Sequence, residues 1–246
     1  MHFIITLIIS ILCSFTSLQS EVYLRDNLAK AEPGDYIVTA QNKNYSLLHI
    51  RDRTKNTLSI EEITVPVSCI NNRSDFSWKN WISQGARGNT SWVLFEIDLT
   101  NGQMLRYFSF TKNGWYTIAQ ADNFLSTLLN LQLNKIPENA RKKIGPPPSD
   151  GTPDWRSTWQ PKMIVDGKTI ENVRFDGWKS QWPKDRSELS GRTIELFIPQ
   201  ENARYPAYFP YWLQISGIVG KAKIRIVDSG HGMRSPRPTL NELSTN

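Results

Sequence analysis

The residue types that usually carry chemistry are scarce in this chain. Histidine occurs at His2, His49 and His231, and cysteine at Cys13 and Cys69. A structural zinc site takes four nitrogen or sulfur ligands and a catalytic one usually three protein ligands. His49, His231 and Cys69 lie far apart in sequence and do not meet either requirement, so no metal or other cofactor is expected. His49 sits inside a strand-like run and reads as a packed, hydrogen-bonded ring. Asp228-Ser229-Gly230-His231 contains the three residue types of a hydrolytic triad, but four consecutive residues cannot place nucleophile, base and orienter in line. The glycine there predicts a turn. No Gly-rich phosphate loop, Gly-x-Ser-x-Gly elbow or His-Glu-x-x-His helix is present.

Three patterns remain as site candidates. Glu96 and Asp98 are two apart on a predicted strand and share one face, while Phe95, Ile97 and Leu99 share the other. A carboxylate pair at roughly 7 Å can serve glycoside hydrolysis, although an ordinary solvated strand face carries the same pattern. Lys221, Lys223 and Arg225 form a basic stripe on another strand, with Ala222, Ile224 and Ile226 on its reverse. Such a stripe could hold an anionic envelope component, although a solvated face paired with acids such as Glu195 carries the same pattern. It lacks the density of a nucleic-acid surface, and no nucleic-acid partner is expected. The third pattern is aromatic. Trp155 and Trp159 are four apart, as are Trp178 and Trp182, and Tyr208 and Trp212 belong to a ring-rich cluster with Pro206 and Pro210. In loops such rings stack on sugars; in a sheet protein they also plug the ends of the core.

The elements that must position these residues read mainly as strands. A short helix is expected over 21–31, stopped by Pro33-Gly34. Residues 36–40, 45–51 and 57–67 predict a three-strand meander. A second helix is expected over 74–83, capped by Ser74. Residues 92–99 and 104–110 alternate around Asn101-Gly102, which predicts a hairpin with a type I′ turn. Residues 115–118 add a strand, and 122–133 predict a third helix. Further strands are expected at 163–165, 169–175, 193–198, 211–216 and 222–227. Short turns between strands require antiparallel pairing. The expected class is α+β: about ten antiparallel strands in an open or partly closed barrel, with about three packed helices.

The run from Phe3 to Leu12 is apolar and too short to span a bilayer as a helix, and small polar residues follow it. Residues 1–20 therefore read as a cleavable signal peptide. Their n-region lacks Lys and Arg. An uncleaved anchor helix and lipidation at Cys13 are the alternatives. Beyond it come residues 21–133 with the first half of the sheet, a Pro-rich linker or crossing loop at 134–161, hairpins at 162–229 and a loose tail at 230–246. Basic and acidic residues balance over 21–140, twelve of each, and stand at 17 to 11 over 141–246, so the whole net charge of +6 lies in the second half. Cys69 then has no disulfide partner and reads as a half-buried small apolar residue.

These features favour a secreted or periplasmic binding protein over an enzyme, with no transmembrane span in the mature chain. The order of helix, long strands, helix, hairpins, helix and strands resembles in outline the periplasmic lipoprotein carriers. That resemblance implies a curved sheet holding a hydrophobic or acyl ligand. The alternatives are a carbohydrate or envelope-polymer module using the Trp-bearing loops, and a hydrolase using Glu96 and Asp98.

Overall fold

The computed structural model describes residues 22–70, 76–116, 124–217 and 221–244. The first half contains β1 (Val22–Tyr23), α1 (Leu24–Leu28), β2 (Tyr36–Gln41), β3 (Asn44–Arg53), β4 (Thr57–Pro66), α2 (Trp78–Ser83), β5 (Ser91–Asp98), β6 (Met104–Ser109), β7 (Gly114–Tyr116), α3 (Phe124–Leu129) and β8 (Gln132–Lys135). After a long crossing segment come β9 (Met163–Val165), β10 (Lys168–Ile170), β11 (Phe175–Gln181), β12 (Thr193–Pro199), β13 (Trp212–Ser216), β14 (Lys221–Gly230) and α4 (Leu240–Ser244). The class is α+β, as expected, with fourteen strands and four short helices among the described residues.

Twelve strands form one open antiparallel sheet in the order β1-β8-β11-β12-β13-β14-β2-β3-β4-β5-β6-β7, and β9 and β10 make a separate hairpin. From β2 to β7 the sheet follows the chain: short turns set β2 to β4 and β5 to β7 side by side, and β4 and β5 pair across the longer 67–90 segment that carries α2. The second half then returns to the opposite side of β2, where β14 pairs with it. Among the described residues the sheet keeps two edges, β1 and β7, and does not close.

Strong curvature follows from what the sheet buries. Leu24 and Leu28 of α1, Leu128 and Leu129 of α3, Ile60 of β4, Phe95 and Ile97 of β5, and Leu196 of β12 share one core. β5 and β12 are six positions apart in the sheet, or roughly 29 Å if it lay flat. Two helices, each about 10 Å across, bridge that span within one core only if the sheet curls around them. The convex side has its own cover. Leu47, Ile63, Val65 and Trp92 pack there against Trp78 and Ile82 of α2 and against Met233.

Several local expectations change. Ser77 caps α2, its hydroxyl accepting from the Asn80 amide at 3.4 Å; Ser74 and Asp122 lie outside the described residues. α3 ends at Leu129, and Leu131 and Leu133 continue into β8 rather than completing a helix. β11 was not expected at all. At the β5–β6 turn only Gly102 has positive φ, +69°, and the Gly102 amide donates to the Asp98 carbonyl. This is a wider loop than type I′, whose two central residues both need positive φ. Asp166-Gly167, between β9 and β10, does have both, at +49° and +75°. The C-terminal segment, expected to be loose, carries the buried Met233 and Leu240 and sets Arg237 4.7 Å above the Trp92 ring. Cys69 is exposed rather than half-buried. It lies in a single 3-10 turn whose buried anchor is the neighbouring Ile70.

Candidate functional site

The concave face changes character along the strands. Side chains alternate across a strand, so Leu58, Ile60 and Glu62 of β4 share a face, as do Ser46, Leu48 and Ile50 of β3. Ile50, Leu58 and Ile60 press against the helices in the inner core. Toward the far end of the same strands the inward positions turn polar: Thr39, Ser46, Glu62 and Thr64. Register places Thr39 opposite Ser46, and Ser46 opposite Thr64. The Ser46 hydroxyl donates to Glu62 Oε1 at 2.7 Å and lies 3.1 Å from Thr64 Oγ1. Glu62 makes no ion pair among the described residues.

The other half of the concavity is apolar. Leu213 stands opposite Ile224, and Ile215 opposite Ala222. These four, with Leu189, Phe124 at the start of α3 and Gln41 at the end of β2, line a cavity of about 340 Å³. Among the described residues Gln41 is its one polar wall residue. The volume falls within the range of small-ligand sites, and an apolar lining with few polar groups is typical of them. Two wider grooves, of about 720 and 700 Å³, flank the crossing segment. Like the apolar cavity they open onto solvent, but they are bordered by polar chains such as Lys135, Glu138 and Arg174 in one, and Lys162, Glu171 and Asn172 in the other.

The residues singled out from sequence do not converge. Trp155 is 89% exposed on the crossing segment. Trp159 and Trp212 lie on the convex side, their rings 5.2 Å apart and both edge-on to Phe197. Trp178 belongs to β11 rather than a loop, with Lys135 Nζ 5.8 Å from its ring. Trp182 is buried on the concave side, stacked on Phe124 at 5.4 Å, and its indole N–H donates to Asp185. Tyr208 is buried in the inner core, and burial pushes its phenol well above the ordinary range. No exposed row of rings is formed by these six. Lys221 begins β14; Lys223 and Arg225 are exposed on the convex face, Arg225 directly opposite Trp212.

Glu96 and Asp98 also point away from the concavity, and each has a structural partner. Glu96 accepts from Arg106 Nε at 2.8 Å. Asp98 accepts from the hydroxyl and amide of Thr100, and these bonds hold its carboxyl below the usual carboxylate range. His49 is buried and hydrogen-bonded, as expected. Among the described residues no cluster of His, Cys, Asp and Glu is arranged to hold a metal ion.

Sequence reading missed the cavity wall, although one signal for it was present. The alternation over 221–227 drew attention for its cations, whereas the reverse face of that strand supplies Ala222 and Ile224. No local pattern tells that this face meets Gln41 of β2 and Phe124 of α3.

A family profile described as "CT021 protein" matches residues 46–171, more than half of the chain. Among solved structures the chain is similar to the 2.0 Å structure of the hypothetical protein CT021 from Chlamydia trachomatis. The identity is 20% and the TM-score 0.65, over 90% of this chain and 98% of that one. No curated protein matches. At this identity the likeness speaks for the fold alone.

Proposed function

We propose that this chain, which belongs to the CT021 protein family, is an exported binding protein that holds the acyl part of an amphiphile in its concave cavity. The observation that carries this reading is the cavity of about 340 Å³ walled by Leu189, Leu213, Ile215, Ala222, Ile224 and Phe124. An acyl chain entering it leaves water on both sides of the contact, at about 25 cal/mol per Å² of apolar surface removed. The adjoining Thr39, Ser46, Glu62 and Thr64 give a polar head hydrogen-bonding neighbours, so the tail and head ends of one ligand find matching walls. Export rests on the apolar leader over residues 3–12. Among the described residues no helix is long and apolar enough to cross a membrane.

The test is native mass spectrometry of the protein purified from the cell envelope, followed by lipid extraction. Bound species with acyl-chain masses, released by organic solvent and depleted in Ile224→Glu, support the reading. Protein that carries no lipid and takes up none from mixed micelles contradicts it.

A further inference from the structure

The crossing segment between β8 and β9 passes over the convex side on a fixed stem. The Ile144 amide donates to the Ser157 carbonyl at 2.9 Å, and the Trp159 amide to the Lys142 carbonyl at 2.8 Å. Trp159 pins this stem to the sheet through Phe197 and Trp212. Beyond it project residues 145–156, stiffened by Pro146, Pro147 and Pro148. The Arg156 guanidinium donates to both Asp154 carboxylate oxygens and to the Gly145 carbonyl, which ties the two arms together. Trp155 on this projection is 89% exposed, and Ile144 at its base is 56% exposed. A large apolar side chain left in water forgoes the free energy of its burial, and neither residue serves the core of this chain.

The surroundings are cationic. Residues 141–162 contain five basic and two acidic residues. Arg141 pairs with Asp176 and Arg156 with Asp154. Lys142, Lys143 and Lys162 make no salt bridge among the described residues, and Asp150 is the one acid of the segment in the same position. On the sheet beside the stem, exposed Arg225 stands opposite Trp212 and exposed Lys223 opposite Gln214. Neither of those two makes a salt bridge among the described residues.

We propose that this convex face, Trp155 and Ile144 with Lys142, Lys143, Lys162, Lys223 and Arg225, docks the protein on an anionic lipid bilayer. Tryptophan is favoured at headgroup depth, where its ring is half in hydrocarbon and its N–H in water. Lysine and arginine close to an anionic leaflet add to this electrostatically. A glycan polymer would be gripped by several exposed rings, and the other predicted rings are packed into the fold. The face lies on the opposite side of the sheet from the cavity, so the proposal stands whatever the cavity holds.

Co-sedimentation with vesicles tests it, using phosphatidylcholine alone and phosphatidylcholine mixed with phosphatidylglycerol. Binding is expected on the mixed vesicles only and weakens as salt is raised. Trp155→Ala lowers the affinity about tenfold, Trp155→Phe less, and Lys142→Gln and Lys143→Gln about fivefold each. Trp155→Ala keeps the parent melting temperature, because the indole lies outside the core. Equal binding to both vesicle types overturns the proposal, as does full binding by Trp155→Ala. Binding to an anionic polysaccharide but not to mixed vesicles overturns it too.

Discussion

Glu61 Oε2 lies 3.0 Å from His49 Nδ1, and both side chains are shut off from solvent. The other ring nitrogen of His49 faces the Met233 carbonyl at 3.2 Å. Both partners offer oxygen acceptors to the ring. Glu61 Oε1 meanwhile accepts from Arg51, from the Trp92 indole and from Ser235. This one carboxylate thereby joins β3, β4 and β5 to the C-terminal segment.

Burial alone would raise the Glu61 carboxyl, but its bonds from His49, Arg51 and Trp92 outweigh this, and the net direction is downward. A folded-state carboxyl held below its unfolded value adds stability above the unfolded value, which is lost as pH falls through the folded one. The protein is therefore expected to lose stability as pH drops below about 4. Glu61→Gln leaves Arg51 buried without its counter-charge and should cost about 3–5 kcal/mol at neutral pH. Urea melts across pH for parent and variant check both points. A variant as stable as the parent would show that the network adds nothing.

The β5–β6 hairpin ranks three substitutions. Phe95 is buried in the inner core, and Phe95→Ala should cost about 3–5 kcal/mol. Gly102 has φ of +69°, and a Cβ there would lie 2.8 Å from Asn130 Nδ2 and 3.2 Å from the Leu129 Cβ. Gly102→Val should cost about 2 kcal/mol or more, through strain and displacement of the end of α3. Glu96→Gln loses one partly exposed ion pair and should cost under about 1 kcal/mol. Thermal melts of the three variants give the order, and a reversed order would mean the strand faces are misassigned.

Much of this hairpin, and of the β2–β4 meander, was legible because inward and outward residues alternate cleanly there. β11 was not, since Asp176, Gly177, Lys179 and Ser180 have no β-branched or apolar rhythm, and the strand is held by pairing with β12 along its length and with β8 at Trp178 and Lys179. Helix and strand were confused at Leu131 and Leu133 because an apolar pair two apart fits the tail of a helix as well as a strand. The rings were visible as rings, but which side of the sheet each faces depends on strand register. The cavity needs β14 beside β2, a pairing across more than 180 residues that leaves no local trace.

Tyr208 is buried, and its hydroxyl has no hydrogen-bond partner among the described residues. An unmade bond on a buried polar group costs about 1–3 kcal/mol. Tyr208→Phe keeps the ring and should raise stability by about 1 kcal/mol. A loss of stability on calorimetry would reveal a partner for the hydroxyl.

Cys69 is exposed and makes no disulfide. It should react with a thiol reagent at the rate of a small free thiol, without denaturant. Reductant should leave the melting temperature of the untreated protein unchanged. Slow labelling that needs urea would contradict the exposure.

Displacement of a fluorescent long-chain fatty acid by lipid measures acyl binding in the concave cavity most directly. Ala222 is exposed at the rim of the cavity, and Ala222→Trp fills it from the mouth, over Leu213 and Ile215, without removing any core side chain. The probe should brighten and shift to the blue with the parent protein. Ala222→Trp should bind it about tenfold more weakly or worse, since removing a contact worth 1.4 kcal/mol is a factor of ten, and its melting temperature should stay at the parent value. Parent protein that leaves the probe in water, or equal binding by Ala222→Trp, would contradict the account.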